Sequence, residues 1–180
     1  MSRLHIMIVG LTVVLGSLGC AGDDGASGAA PEFSAQDRNP ESPSYGQDVS
    51  PRDHVGHVSG WFFLHSTCGY CRGQVPHLDA LQDELDASHP ELGIRLLLVN
   101  ELGYEAEEAA VLALTDLPYL QDNDPSHGAW AAWRPVFRDV VILDAENVQV
   151  GRFNLTEYDV GDPGYYAALR GMLLAAAGAE

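Results

Sequence analysis

Apolar residues along the chain fall into short continuous runs and into stretches with helical spacing. The continuous run Trp61-Phe62-Phe63-Leu64 predicts a buried strand covering roughly Val58 to His65. Beyond it, four apolar residues lie three or four positions apart, the spacing of an amphipathic helix, at Val75, Leu78, Leu81 and Leu85. A buried strand is therefore expected to lead into a helix with one apolar face.

The same pattern predicts further elements on the carboxyl side of that helix. Ile94 to Asn100 is nearly continuously apolar, which is typical of a strand covered on both faces. A helix is expected from Glu105 to Thr115, a short extended piece over residues 116–122, and a short helix from Ser126 to Trp133.

A hairpin and a helix complete the predicted order. Val140 to Leu143 and Val148 to Phe153 are joined by a turn and should pair antiparallel, and Asp162 caps a last helix running to about Ala177. The order β-α-β-α-(α)-β-β-α predicts one α/β domain over residues 51–180. It should contain a mixed central sheet of about four strands with helices on both faces.

The amino terminus is predicted to be a signal peptide over residues 1–19. Arg3 supplies a positive start, and the apolar run Ile6 to Leu18 is shorter than the about 20 residues that a membrane-spanning helix needs. The segment ends in Leu18-Gly19-Cys20, which resembles a bacterial lipoprotein signal with cleavage before Cys20 and lipidation of its sulfur. A plain secretory signal is the alternative.

Residues 20–50 are rich in Gly, Ala, Ser, Pro and Asp and show no hydrophobic periodicity. That composition predicts a disordered acidic tether between the lipidated cysteine and the domain. As an alternative, its last part near Tyr45 packs on the domain as an extended strand.

The formal charge is −17, and all nine basic residues are arginine. Phosphate binding requires a basic surface, so this charge argues against a nucleic-acid partner. The excess of acidic residues is most simply explained by a solvated surface.

The candidate chemistry lies in Cys68-Gly69-Tyr70-Cys71, between the first strand and the first helix. Gly69 and Tyr70 set the turn, so Cys68 should sit at the helix N-terminus. There the unpaired N–H groups and the helix dipole favour a thiolate. Cys68 is therefore the expected nucleophile, and Cys71, one turn later, the resolving thiol.

Two other interpretations of the cysteine pair are a structural disulfide and half of a zinc site. The chain has only three cysteines, which is too few for a four-cysteine zinc site. A disulfide that closes a two-residue loop would restrict the unfolded chain very little. If Cys20 is lipidated, Cys68 and Cys71 form a pair and no odd thiol is left.

The motif, followed by Pro76, resembles the thioredoxin superfamily, whose first helix carries a kinking proline five residues after the second cysteine. A closer resemblance is to the N-terminal domain of selenoprotein P. The residues that carry it are Pro51-Arg52-Asp53, the Cys68 motif, Leu98-Val99-Asn100, Pro118-Tyr119-Leu120-Gln121 and Arg138 to Asp144. This resemblance places Cys68 where that family commonly has selenocysteine and implies extracytoplasmic thiol or peroxide chemistry.

Arg138 departs from the thioredoxin pattern. Counting back from Leu143-Asp144, it occupies the place of the cis-proline that lies beside the cysteine motif in thioredoxins. Peroxiredoxins carry an arginine at a similar place. An arginine facing Cys68 would lower the pKa of its thiol and could polarise a peroxide oxygen. The alternative is an exposed arginine paired with Asp139.

Three functions follow as expectations. The first is a membrane-tethered thiol–disulfide oxidoreductase, lipid-anchored to the outer face of a bacterial membrane, that acts on protein thiols or disulfides of the cell envelope without a cofactor. The second is a thiol peroxidase with Cys68 peroxidatic and Cys71 resolving. The third is a metal- or haem-binding module. The two thiolates with a histidine would suit Cu(I), and His54 and His57 are candidate ligands for a metal or haem.

Overall fold

The structure is a computed structural model that describes residues 28–179. The predicted signal peptide and Cys20 lie outside these residues. The described part contains seven strands, β1 (Ala35–Asp37), β2 (Asp48–Val49), β3 (Ser59–Leu64), β4 (Arg95–Asn100), β5 (Tyr119–Gln121), β6 (Asp139–Leu143) and β7 (Gln149–Asn154). Its helices are α1 (Gly69–Ser88), α2 (Glu108–Leu112), α3 (Ala129–Trp133) and α4 (Pro163–Ala176), with short 3₁₀ turns at Pro51–His54, Pro90–Leu92 and Glu105–Glu107.

The strands form one mixed sheet in the order β2-β1-β5-β4-β3-β6-β7. β3, β4 and β5 run parallel, joined by helical crossovers, and the remaining neighbours pair antiparallel. The α/β class and the mixed sheet are confirmed, but the expected number of about four strands is too low. Of the additional strands, β1 and β2 have three and two residues, too short to leave a periodic signal. The third, β5, lies within the extended piece expected over residues 116–122.

The two faces of the sheet are covered by different elements. On one face, Phe62 and Leu64 of β3 pack with Leu78 of α1 and Leu173 of α4. On the other, Trp61 and Phe63 pack with α3 and the amino-terminal segment. Because successive strand residues point to opposite faces, burial on both explains the unbroken apolar run in β3.

The tether prediction is wrong for residues 28–50, which are part of the domain. Phe33 is only 6% exposed, and its ring lies 5.4 Å from the ring of Trp133. Between Phe33 and Asn39 every second residue is buried, as expected of a strand with one inward face. The alternating pattern is masked in the sequence because two of the inward residues are polar, Asp37 and Asn39.

Both polar residues are satisfied by hydrogen bonds. The Asp37 carboxylate accepts from the backbone N–H of Tyr119 at 3.0 Å and from the hydroxyl of Ser42 at 2.6 Å. The Asn39 amide donates to the carbonyl of Leu117 at 2.8 Å. A buried polar group with partners costs little, so a polar residue can occupy a core position.

None of the helices between residues 28 and 179 combines the length and the hydrophobicity of a membrane-spanning segment.

Candidate active site

Cys68 is the N-cap of α1, as the sequence predicts. Its sulfur accepts a hydrogen bond from the backbone N–H of Cys71 at 3.1 Å. Its own backbone N–H donates to the carbonyl of His65 at 2.9 Å, which closes the turn after β3. The sulfur therefore takes one of the unpaired N–H groups of the first helical turn, where negative charge is stabilised.

The two thiols differ in exposure and acidity. Cys68 is half-buried, whereas Cys71 is fully buried, and both are free thiols. Burial raises the pKa of Cys68, but hydrogen bonds from Cys71 and from Arg138 outweigh it and hold that pKa below its ordinary value. Burial, together with its hydrogen bond to Cys68, raises the pKa of Cys71 to about 12. Near neutral pH, Cys68 is the more acidic and nucleophilic of the two.

Arg138 faces Cys68. Its guanidinium Nη2 lies 3.7 Å from the Cys68 sulfur, and Nη1 donates to the Thr156 hydroxyl at 3.2 Å. The guanidinium also lies 4.8 Å from the centre of the Tyr70 ring and 4.6 Å from that of Phe137, within cation–π distance. Its Nε is buried, with no hydrogen-bond partner among the described residues.

The backbone places Arg138 at this position. Its N–H donates to the carbonyl of Phe63 at 3.1 Å, and its own carbonyl accepts from Leu155 at 3.0 Å. Its φ is +74°, and every peptide bond within residues 28–179 is trans. The alternative pairing with Asp139 does not occur, because the Asp139 carboxylate pairs with Arg152 at 3.2 Å.

The other predicted residues of the motif surround the sulfur. Gly69 and Tyr70 are exposed on the first turn of α1, and the Tyr70 hydroxyl donates to the carbonyl of Leu155 at 2.7 Å. Pro76 lies inside α1 on its exposed side. A proline there removes the hydrogen bond to the carbonyl four residues earlier, that of Arg72.

Sequence reasoning missed Gln74, which holds the site to the loop after β7. Its side-chain amide donates to Asp159 at 2.9 Å and accepts from the N–H of Val160 at 3.0 Å. The signal was available, because Gln74 falls within the apolar stripe of α1, three residues after Cys71. A polar residue inside such a stripe needs buried hydrogen-bond partners.

A second missed feature is the environment of His65, at the end of β3. Its ring stacks on Tyr104 with centroids 3.6 Å apart and on Phe137 at 4.2 Å. Its Nε2 is hydrogen-bonded to the carboxylate of Glu101. These partners come from separate loops, so no local sequence pattern could have identified them.

The candidate metal ligands are not near the cysteines. His54 and His57 precede β3 and Cys68 follows it, so the length of a six-residue strand, roughly 20 Å, separates them. The two histidines line a separate cavity of about 450 Å³. Among residues 28–179 no three His, Cys, Asp or Glu side chains lie close enough together to hold a metal ion.

Comparison with known proteins gives structural matches only. No protein-family model matches the chain, and no curated protein sequence does. A Chlorobium tepidum protein assigned as the thiol:disulfide interchange protein DsbE is 20% identical, with a TM-score of 0.62 over 83% of this chain and 96% of that one.

Two further matches illustrate the range of proteins with this fold. Copper-bound ScoI of Bradyrhizobium japonicum is 19% identical, with a TM-score of 0.56 over 82% of this chain and 100% of that one. The exposed lipoprotein thioredoxin Etrx1 of Streptococcus pneumoniae is 20% identical, with a TM-score of 0.51 over 68% and 88%.

These matches establish a thioredoxin-like fold for the chain, as the cysteine motif and element order predicted. They do not support the finer resemblance to selenoprotein P, which stays an expectation from the sequence.

Proposed function

We propose that the protein is an extracytoplasmic thiol–disulfide oxidoreductase that uses Cys68 as nucleophile and Cys71 as resolving thiol. The contrast between the two cysteines carries the proposal. Cys68 is accessible, with its pKa held below the ordinary value, whereas Cys71 is buried with a pKa of about 12. One thiol therefore reacts with the substrate, and the other attacks the mixed disulfide after it has formed.

The exchange proceeds in two steps. The Cys68 thiolate attacks one sulfur of a substrate disulfide, a Cys68–substrate disulfide forms, and the other substrate sulfur leaves as a thiolate and takes up a proton. Cys71 then loses its proton and attacks the Cys68 sulfur, which releases the second substrate thiolate and leaves a Cys68–Cys71 disulfide. Two electrons pass to the substrate, and the reverse sequence oxidises a substrate dithiol.

Trapping experiments test these assignments. With limiting alkylating agent, the reduced protein should be labelled first at Cys68, and Cys71→Ser should accumulate mixed disulfides that Cys68→Ser does not form. Peptide mapping by mass spectrometry measures both. Preferential labelling of Cys71 would reverse the roles.

A thiol peroxidase is the second candidate, favoured by the position of Arg138. The Cys68 thiolate would attack one oxygen of a hydroperoxide, the O–O bond would break, and the protonated second oxygen would leave as water or an alcohol. Cys71 would then displace water from the Cys68 sulfenic acid and form the disulfide. Arg138 Nη2 contacts the sulfur, where it can also donate to the oxygen of a hydroperoxide that approaches Cys68.

A lipid on Cys20 is the proposed anchor, supported by the lipoprotein-like signal in the sequence. The first residues of the described part, Ala29 and Ala30, pair with Val148 and Asn147, in the turn between β6 and β7. That turn is at the opposite end of β6 from Arg138. About nine residues link Cys20 to Ala29, a reach of at most about 30 Å, so the cysteine pair would face away from the membrane.

Replacing Cys20 tests the anchor. Cys20→Ala should leave the domain folded and move it from the membrane fraction to the soluble fraction. Continued membrane association of this variant would contradict the proposal that Cys20 is lipidated.

A further inference from the structure

The arginines of the described part are unevenly paired. Six form ion pairs with carboxylates, namely Arg38, Arg52, Arg72, Arg95, Arg152 and Arg170. Arg134 and Arg138 have no carboxylate within ion-pair distance among residues 28–179. Both lie in the connection between α3 and β6, which we call the arginine loop (residues 134–138).

The arginine loop is fixed at both ends. Arg134 ends α3 in a left-handed conformation with φ +45°, and its N–H donates to the carbonyl of Trp130 at 3.1 Å. Arg138 is bound through its N–H to Phe63. The two positively charged side chains therefore stand on a fixed backbone, and Val136 between them is 64% exposed.

Carboxylates around the site are already engaged. Glu101 binds His65, and Glu107 binds the Arg72 guanidinium. Asp159 accepts from Gln74 and from a backbone N–H. Arg138 is therefore a cation beside Cys68 without a carboxylate partner among residues 28–179, and Arg134 lies four residues before it in the same loop, although the chain as a whole carries −17.

We propose that the substrate of this site carries a carboxylate next to its reactive sulfur. Its form would be an acidic, partly apolar peptide segment of a protein that bears the disulfide. This rests on the proposed oxidoreductase function. A carboxylate matches the guanidinium group of Arg138 in charge and geometry, and Arg134, four residues earlier in the arginine loop, adds a second positive charge. The exposed side chains of Val136 and Tyr70 supply apolar contact.

The exchange reaction itself favours the binding of such a carboxylate to Arg138. In the free reduced enzyme, its guanidinium interacts with the Cys68 thiolate. When the mixed disulfide forms, the charge leaves that sulfur and Arg138 loses its anionic partner. A substrate carboxylate at this position takes over as the counterion and stabilises the mixed disulfide.

The negative net charge of the protein repels an acidic peptide at long range, so the salt concentration of the assay matters. At about 0.15 M salt the screening length is about 8 Å, so distant charges are damped and contacts in the site remain. The preference for the acidic peptide measured at this salt concentration therefore reflects contacts with the arginine loop.

The experiment compares three disulfide-bearing peptides that differ only beside the cysteine, with Glu, Gln or Lys. Oxidation of the reduced protein is followed by tryptophan fluorescence and by mass spectrometry. The Glu peptide should react about three- to tenfold faster than the Lys peptide. Arg134→Gln should bring the ratio towards one, and Arg134→Lys should retain the preference.

Arg52→Gln is the matched control. It removes the same charge from an exposed arginine that is paired with Glu32, before β3, so the ratio should stay as in the wild type. Equal rates for the Glu and Lys peptides, or an undiminished preference in Arg134→Gln, would overturn the inference. The proposed function itself fails only if neither the peptides nor uncharged hydroxyethyl disulfide exchange with the protein.

Discussion

The two ends of the central sheet differ in how their polar groups are used. At the end where β3 leads into α1, the guanidinium of Arg138 contacts the partly exposed sulfur of Cys68. At the other end, His54 stacks edge-on against Trp61, and Arg95 is paired with Asp86. Both ends have polar side chains, but only the first combines a nucleophile with an unpaired cation.

The comparison shows what the fold contributes to the chemistry. At the Cys68 end, a helix N-terminus and the guanidinium of Arg138, from the residue before β6, meet at one sulfur. The His54 end has a cavity of about 450 Å³ but no nucleophile among its lining residues. A cavity by itself therefore does not mark the end of the sheet that carries the reactive thiol.

The largest effect is expected from Arg138→Met. Loss of a charge-assisted hydrogen bond of about 1.5–3 kcal/mol should slow peroxide reduction about 10- to 100-fold and should raise the pKa of Cys68. Stopped-flow peroxide kinetics and the ultraviolet absorbance of the thiolate measure these. Disulfide exchange should slow less.

Arg52→Met, at the other end of the sheet, is the control and should change neither quantity. Equal slowing of both reactions by Arg138→Met would mean that Arg138 acts only through the thiolate. If neither reaction changed, the peroxidase candidate would lose its support.

An intermediate effect is expected on the stability of the reduced protein, with opposite signs for the two cysteines. The pKa of Cys68 is lowered on folding, so its contribution is present above the ordinary pKa of 9.0 and is lost as pH falls through the lowered value. Cys71 has its pKa raised to about 12, so it makes stability fall as pH rises above 9.0.

Urea unfolding of the reduced protein across this pH range, beside Cys68→Ser and Cys71→Ser, measures the two contributions. Cys68→Ser should flatten the rise below pH 9.0, and Cys71→Ser the fall above it. If the free energy of unfolding of Cys68→Ser still rose with pH below 9.0, another titrating group would be responsible for that rise.

The smallest effect is expected from the double substitution His54→Phe and His57→Ala. Neither residue is near Cys68, so disulfide exchange should stay within about twofold of the wild type. Burial lowers the pKa of His54, so the wild type should lose stability as pH falls below 6.5, and the variant should lose less. A large loss of exchange activity would show that the two ends are coupled.

The sequence determined the elements whose pattern is local. The unbroken apolar run of β3 and the three-and-four spacing in α1 are properties of neighbouring residues, as is the place of Cys68 as N-cap between them. The place of Arg138 beside the sulfur was also anticipated, through the resemblance to known redox folds. The strand, the helix and its N-cap follow from backbone geometry that a few consecutive residues fix, whereas the contact between Arg138 and Cys68 joins residues 70 positions apart and was anticipated only by analogy.

Only the tertiary structure decided how distant segments meet. Residues 28–50 joined the domain because Asp37 and Asn39 find hydrogen-bond partners some 80 positions away, which no local periodicity reveals. The stack of His65 with Tyr104 and Phe137 and the isolation of Arg134 from every carboxylate of the described part are likewise properties of packing. Burial and charge pairing depend on all neighbours in space, whereas sequence patterns record only neighbours along the chain.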